Sequence, residues 1–439
     1  KVFKNKIVNR KSEIIVLVFL LLLPLFFFRE YIFRGRVPFS ANLLVSYYAP
    51  WKDFSFPGYE GGVPNKPIGF DNVRLFYPNL RLTLSELGKG RLPLWNPYIF
   101  SGNPHLAMGQ TAVFYPLNLI YFFFPTIDGW SILVIIQPIL AAWFLYLFLR
   151  SLDLSRGASV FGAIAYAYSG WMIAWWEESL VIEHSILWLP LGLYASSALW
   201  ESKKMRLWTV VLLGLSIILS ILAGFFQMTI YLILTIAAWN IFCYFQHKKE
   251  SETPKKVKAL ILSLVVAILM TAIQWLPAWE AYTNSPRLGA DVKFLYESYL
   301  VPLHHLLTLV APDYWGNPGG YNYFFPKAFY HEKVLYIGIF PLLFFLFALA
   351  SRTDSKGKFW KLFSLVAISL GLQLPTSWVW YVLKVPILSS SQPSRIFSIA
   401  TLGMAVLVAY GMDIFRKTNN KKSMFWALGG ITLLLLVGW

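Results

Sequence analysis

The sequence predicts an all-α fold in which the chain crosses a membrane many times. Hydrophobic residues make up 57% of the 439 residues and charged residues only 13%, which is about half the charged share of a soluble domain. The apolar residues form runs long enough to cross about 30 Å of hydrocarbon as helices, and short basic clusters separate these runs. We therefore expect the apolar excess to face lipid.

Eleven segments have the length and hydropathy of membrane-spanning helices. They lie near residues 12–28, 129–149, 157–175, 180–200, 207–225, 228–246, 257–276, 333–350, 359–374, 394–414 and 423–439. The first follows a basic segment, as in a signal peptide, but no small-residue cleavage site comes after it, so we interpret it as an uncleaved helix. The sequence starts without methionine and stops inside an apolar run, which suggests that its C-terminal part is missing.

The positive charges predict that the N-terminus lies in the cytoplasm. The segments that would then be cytoplasmic are 1–11, 150–156, 201–206, 247–256, 351–358 and 415–422. Counted with Lys258 and Lys361, they hold 23 of the 38 lysines and arginines. Cytoplasmic loops carry such an excess. The net charge of +17 is thus explained by topology, and nucleic acid is not an expected partner.

Two outer segments are too long to be simple connections, and they divide the chain into five parts. These are the N-terminus with the first helix (1–28), a large outer loop (29–128), six helices (129–276), a second outer loop (277–332) and the last four helices (333–439). Long loops of this kind are usually functional. In the first loop, the stretch Phe70–Leu87 has apolar residues at helical spacing, which predicts a helix in the outer membrane interface, bent near Pro78.

Asp71 begins this predicted helix and is the first candidate for chemistry. A carboxylate held at the membrane surface can act as a general base, taking a proton from an acceptor hydroxyl beside a phosphate leaving group. The alternative is structural, because an aspartate at the start of a helix often caps free N–H groups. The spacing alone leaves both readings open.

Other polar residues lie at predicted outer helix ends, where they are costly and tend to line cavities. Glu183 and His184 begin the fourth span and either contact substrate or pair with neighbouring helices. Arg395 begins the tenth span and either binds a phosphate through two parallel hydrogen bonds or extends to lipid headgroups. Glu332 ends the second outer loop. The adjacent His304 and His305 have poor spacing for one metal ion, so a divalent metal is possible but not indicated, and no cofactor is expected.

Several short motifs resemble one known family in their order and spacing. They are Gly-Arg-Leu-Pro-Leu-Trp-Asn-Pro-Tyr-Ile-Phe-Ser-Gly-Asn-Pro (90–104), Gln110, Phe-Tyr-Pro-Leu-Asn-Leu (114–119), His184 before Trp-Leu-Pro-Leu (188–191), Ala-Gly-Phe-Phe-Gln (223–227), Leu-Pro-Ala-Trp-Glu (276–280), Ser285, Arg287, Ala-Pro-Asp-Tyr-Trp-Gly (311–316), Glu332 before Tyr-Ile-Gly (336–338) and Pro-Ser-Arg (393–395). Over roughly residues 40–415 the chain resembles the YfhO family of bacterial membrane proteins, members of the C-type glycosyltransferase (GT-C) superfamily.

The resemblance implies an enzyme of the bacterial cytoplasmic membrane with its active site on the outer face. Such an enzyme takes a sugar from a polyprenyl-phosphate donor and places it on a cell-envelope glycopolymer, lipid or protein, with inversion at the anomeric carbon. The essential acid of this family lies in a segment resembling Asp-x-x-x-Gln-x-x-Pro. Asp71 and Pro78 match that pattern, whereas Leu75 stands where glutamine is expected.

With this implied activity, Asp71 is expected to be the base, and cationic side chains should hold the donor phosphate. Arg395 is the first choice for that contact, followed by Arg74 and Arg287. His184, Glu183 and Glu332 are expected to line the same cavity as Asp71, where the acceptor enters.

Two other functions also fit many helices with polar residues at membrane depth. One is a transporter or flippase of a lipid-linked saccharide, which would show repeats or broken helices in matching halves. The other is a ligase that moves a whole glycan, whose donor and acceptor chemistry would look much the same. Neither the sugar nor the acceptor can be read from the sequence.

Overall fold

A computed structural model describes residues 10–57, 71–286, 291–318, 322, 330–418, 424–430 and 432. The described chain is mostly helical, as the sequence predicts. Its one sheet within these ranges is a two-residue pair, with β1 (Trp95–Asn96) antiparallel to β2 (Asn103–Pro104) in the first loop.

The α-helices follow one another through all the described ranges. They are α1 (Arg10–Phe27), α2 (Arg29–Arg34), α3 (Asn42–Tyr47), α4 (Tyr77–Gly88), α5 (Thr126–Ser151), α6 (Arg156–Ala167), α7 (Gly170–Trp176), α8 (Leu180–Ile186), α9 (Leu189–Glu201), α10 (Leu207–Leu222), α11 (Phe226–His247), α12 (Thr253–Met270), α13 (Ala272–Thr283), α14 (Val292–Tyr299), α15 (Ile339–Ala350), α16 (Ser355–Gly371), α17 (Val379–Val382) and α18 (Phe397–Thr418). Residues 424–430 are also helical.

Fewer of these helices have the length and hydropathy of a membrane span than the eleven that we expected. Within the described ranges, Thr126–Ser151, Phe226–His247 and Pro393–Thr418 have both. A fourth span results if α12 and α13, which meet at 72°, form one bent helix. The last predicted span, 423–439, falls largely outside the described residues.

Breaks within the predicted spans explain much of the difference. The segment 157–175 is divided between α6 and α7, and the segment 180–200 between α8 and α9. Pro190 lies in the first turn of α9, where a proline without an N–H group is tolerated, whereas in one continuous helix it would remove an internal hydrogen bond. Hydropathy averaged over a window does not register such interruptions.

The centre of the molecule is α18. Every residue from Phe397 to Gly411 is buried, and the helix packs against α6, α15 and α16. Glycines allow this close packing, because a side chain on Gly411 would collide with the Phe344 carbonyl of α15. A helix that is apolar on all sides belongs in the interior of a bundle. Arg395 lies in the 3₁₀ turn Pro393–Ile396 that leads into this helix.

The first outer loop folds back onto the bundle. Its 3₁₀ turn Leu106–Met108 packs against α13. Gly109 lies against Gly224, which has a φ of +95° and no room for a side chain beside the Gly109 carbonyl. Both glycines are therefore needed for the backbone of the loop to approach the connection between α10 and α11.

Candidate functional site

Asp71 begins a helix, as expected, but the first turns of this helix are unusual. Residues Asn72–Phe76 form a π-helical turn, which continues directly into α4. Pro78 has no N–H group to donate to the preceding turn, and wide turns of this kind accommodate such a gap. Where the sequence predicts a bend near Pro78, the structure has a π turn on the N-terminal side of that residue.

The side chains that this helix buries are mainly polar. The apolar spacing predicted a helix in the membrane interface and did not indicate which side chains the protein would cover; Asn72, Asn79 and Thr83 are buried together with Leu80. Each of the three polar side chains has a hydrogen-bond partner. Buried polar groups are tolerated where they are hydrogen-bonded.

Four hydrogen bonds from three polar residues fix the helix to the rest of the protein. The Asn72 amide donates to Ser40 and to the Glu177 backbone carbonyl between α7 and α8. Asn79 Oδ1 accepts from Asn96 at 3.0 Å. Thr83 Oγ1 lies 2.8 Å from His105 Nε2, and burial lowers the pKa of His105 to about 4.

Asp71 itself is exposed and makes no capping hydrogen bond with its side chain. The capping alternative is therefore not supported. Arg74 is also exposed and lies three residues further on, within the π-helical turn. Arg74 Nε donates to the Tyr48 hydroxyl, and its guanidinium lies 5.4 Å from the centre of that ring.

A small cavity of about 40 Å³ lies between this helix and the bundle. Four aromatic residues, Phe76, Tyr115, Tyr121 and Trp130, form part of its wall. His184 lies on the bundle side, and polar residues of the segment 110–118 face it from the loop side. The sequence analysis did not assign this segment to the site, although Gln110 and the motif 114–119 were among the resemblance motifs.

Glu183 does not line this cavity, contrary to expectation. Val181 and His184 are three residues apart and share the face of α8 that borders the cavity. Glu183 lies on another face, is fully buried and is within electrostatic range of Tyr166. Neither of its carboxylate oxygens has a hydrogen-bond partner among the described residues.

Arg395 and Glu332 form a buried ion pair. The guanidinium donates from Nη2 to Glu332 Oε1 at 2.7 Å and from Nε to both carboxylate oxygens at 2.9 and 3.2 Å. It lies between the rings of Trp175 and Phe225, at 5.3 and 5.0 Å from their centres. Glu332 is fully buried and Arg395 Nη1 lies 3.4 Å from Gln227 Oε1. Burial raises the pKa of Glu332, while Arg395 opposes this shift.

The expected residues therefore do not share one pocket. Asp71 is exposed, His184 faces the small cavity, and Glu332 is enclosed by its contact with Arg395. The cavity and the ion pair are nevertheless close along the chain, because Ala223 lines the first and Phe225 covers the second. Arg287 lies outside the described residues. Within those residues no group of acidic, histidine or cysteine side chains is arranged to hold a metal ion.

Comparisons of the chain with models of protein families, with curated proteins and with solved structures found no match. The resemblance to the YfhO family remains a hypothesis based on the sequence motifs.

Proposed function

We propose that this protein is a GT-C-like membrane glycosyltransferase that moves a sugar from a polyprenyl-phosphate donor to an acceptor outside the bacterial cytoplasmic membrane. One observation carries the proposal. The helix that begins at Asp71 is anchored through buried polar side chains, while Asp71 and Arg74 both remain exposed. An accessible base and an accessible cation are thus carried on one fixed element.

The reaction needs few groups from the protein. Asp71 takes the proton of the acceptor hydroxyl while that oxygen attacks the anomeric carbon. The bond from this carbon to the phosphate oxygen breaks, and its electron pair leaves with the phosphate. Attack from the face opposite the phosphate inverts the configuration. Arg74, three residues further along the same helix, is the cation that we assign to the leaving phosphate.

Arg395 has a more indirect role in this proposal than the sequence suggested. Its Nε and Nη2 groups already donate hydrogen bonds to Glu332. The phosphate of the sugar donor would therefore have to share the guanidinium with this carboxylate or displace it. The pair still lies next to Phe225, one residue from the connection that contacts the loop at Gly109. We assign the Arg395–Glu332 pair to positioning the part of the site that binds the sugar donor.

The membrane setting belongs to the same proposal. The basic clusters predict a polytopic chain with a cytoplasmic N-terminus, and helices, some of them broken, lie at ten of the eleven predicted positions. Exposed apolar side chains such as Phe340 and Leu362 would then face lipid.

The substitution Asp71→Asn tests the assigned base. It removes the proton acceptor and keeps the size of the side chain, so transfer from a polyprenyl-phosphate sugar should fall at least about 100-fold, as expected for loss of a general base. The control is Asp53→Asn, which changes another exposed carboxylate of the same loop and should retain wild-type activity. Equal activity of Asp71→Asn and Asp53→Asn would remove Asp71 from the mechanism.

A transporter of lipid-linked saccharides is the second candidate, favoured by the 72° bend between α12 and α13. Interrupted helices at membrane depth are typical of transporters. Vesicles containing the purified protein distinguish the two functions. An enzyme forms a new glycosidic product on one side, whereas a transporter moves the intact donor across the bilayer without forming a product.

A further inference from the structure

The helices α12 and α13 are separated by a sharp bend. Together they have the length and hydropathy of one membrane span, but they are bent by 72° at Thr271. The 18 residues of α12 extend roughly 27 Å, close to the hydrocarbon thickness of about 30 Å. Because of the 72° bend, the 12 residues of α13 advance only about 6 Å further in the same direction. Thus α12 alone is long enough to cross the hydrocarbon, and α13 runs mostly across its axis.

Hydrogen bonds at both ends of α13 hold it in this orientation. The Trp275 indole donates at 2.9 Å to the Ile268 carbonyl in the last turn of α12. The Gln274 amide donates to two carbonyls in the last turn of α10, each at 3.1 Å. Such terminal carbonyls have no partner within their own helix. At the other end of α13, the Tyr282 hydroxyl accepts from the Ile387 backbone N–H at 3.1 Å. The bend is therefore a fixed feature of the fold.

Exposed apolar side chains continue from α12 across the bend. Leu262 and Leu269 of α12 are exposed, and so are Ile273, Leu276 and Trp279 of α13, each of the five at least 42%. The three residues of α13 are spaced three apart, so they follow one side of the helix. Because this side continues the exposed surface of a helix with membrane hydropathy, the same lipid that surrounds α12 is the occupant that fits it.

The polar end of α13 fits a helix that rises slowly towards water. Glu280 and Thr283 are exposed and lie four and seven residues after Leu276, on the same side of the helix. Trp279 lies between the apolar and the polar residues, and tryptophan is enriched where hydrocarbon meets headgroups. This order matches acyl chains at the start of α13 and headgroups at its end.

We propose that α13 lies in the interface of the outer leaflet, with Ile273, Leu276 and Trp279 inserted among the acyl chains. The outer leaflet is assigned because the basic residues at the other end of α12 predict the cytoplasmic side. The first loop packs against α13 through its turn Leu106–Met108, so α13 sets the depth of that loop. The inference rests on the membrane setting of the proposed function and is independent of sugar transfer.

Depth-dependent fluorescence quenching in reconstituted bilayers tests this placement. Leu262→Cys, Leu276→Cys and Thr283→Cys each carry a bimane label in the full chain, on a Cys243→Ser background. All three labelled positions are exposed, so the labels leave the packing intact. Nitroxide lipids labelled near the headgroup should quench Leu276→Cys more than lipids labelled near the chain end. The order should be reversed for Leu262→Cys, in the middle of α12. Thr283→Cys is the matched control on α13 and should be quenched less by either lipid and more by aqueous iodide.

Three results would overturn the placement of α13. Stronger quenching of Leu276→Cys by chain-end lipids would show that α13 enters the hydrocarbon as part of a span. Quenching of Leu262→Cys without quenching of Leu276→Cys would show that water or protein covers α13, and it would leave the membrane setting intact. Absence of quenching at both positions would overturn the membrane setting of the proposed function as well. Loss of transfer in Asp71→Asn with unchanged quenching would separate the two proposals, since the placement requires no catalysis.

Discussion

A buried ion pair holds two distant parts of the chain together. The pair between Arg395 and Glu332 joins the start of α18 to the end of the second long loop, and Trp175 of α7 covers it. Removing one partner of a buried pair leaves the other charge uncompensated. The pair is therefore expected to be more important for stability than any exposed pair in the described chain.

The substitution Glu332→Gln should lower the free energy of unfolding by about 3–5 kcal/mol, because Arg395 stays buried without its counterion. Arg395→Lys keeps the charge and loses the two-pronged contact, so a smaller loss is expected. Unfolding of the detergent-solubilised protein measures both. Glu30→Gln is the control, since Glu30 pairs with Arg34 and Arg36 on the surface and should change stability by less than about 1 kcal/mol. A Glu332→Gln protein as stable as the control would show that the pair is not a structural anchor.

His105 should make the first loop sensitive to acid. Burial holds its pKa at about 4 in the folded chain, whereas an exposed histidine titrates near 6.5. Between these values the unfolded chain binds more protons, so stability falls as the pH falls through this window. His105→Gln removes the titrating group. The midpoint of its unfolding transition should therefore fall less between pH 7 and pH 5 than the midpoint of the wild-type protein does.

Thr83→Val is the matched variant for this comparison. It removes the hydrogen-bond partner of His105 but keeps the imidazole, so it should lower stability at both pH values and preserve the acid sensitivity. If His105→Gln were as acid-sensitive as wild type, the pH dependence would have another origin.

At the scale of elements, the helix that starts at Asp71 shows which of its properties the apolar periodicity of the sequence predicts and which it does not. Its position followed from the sequence, whereas its π-helical first turn did not. Its buried polar side chains were not predicted either, because their partners Asn96 and His105 come from elsewhere in the chain. Such partners come from distant parts of the chain and leave no local signal.

Asn79→Ala should loosen this helix. It leaves the Asn96 amide buried without its acceptor, which costs about 1–3 kcal/mol and raises the fraction of detached helix roughly 5- to 150-fold. Trypsin cleavage after Lys89 and Arg91, at the end of the helix, should accelerate accordingly. Ser85→Ala changes an exposed residue of the same helix and should not affect the rate. Equal cleavage of Asn79→Ala and Ser85→Ala would contradict anchoring through the polar face.

At the scale of the whole molecule, the charge pattern predicts one topology, with the basic clusters at one set of ends of the predicted spans and the two long segments at the other. The described helices yield three or four spans by length and hydropathy alone.

Labelling of introduced cysteines tests the topology directly. The natural cysteine, Cys243, is buried, and Cys243→Ser provides a background without thiols. In intact cells, a membrane-impermeant maleimide should label Ser85→Cys, on the first outer loop, and should not label Lys249→Cys, in a predicted cytoplasmic connection, until the membrane is opened. Both positions are exposed in the structure, so equal labelling before opening would contradict the predicted orientation.

The sequence by itself determined the helical class and the positions of most helices. These properties depend on hydropathy and proline positions, which act locally along the chain. The tertiary structure decided that Glu332 neutralises Arg395, that Glu183 faces away from the cavity of His184, and that Trp130 joins that cavity. These contacts join residues from separate helices, and their geometry arises only when buried polar groups find partners during packing.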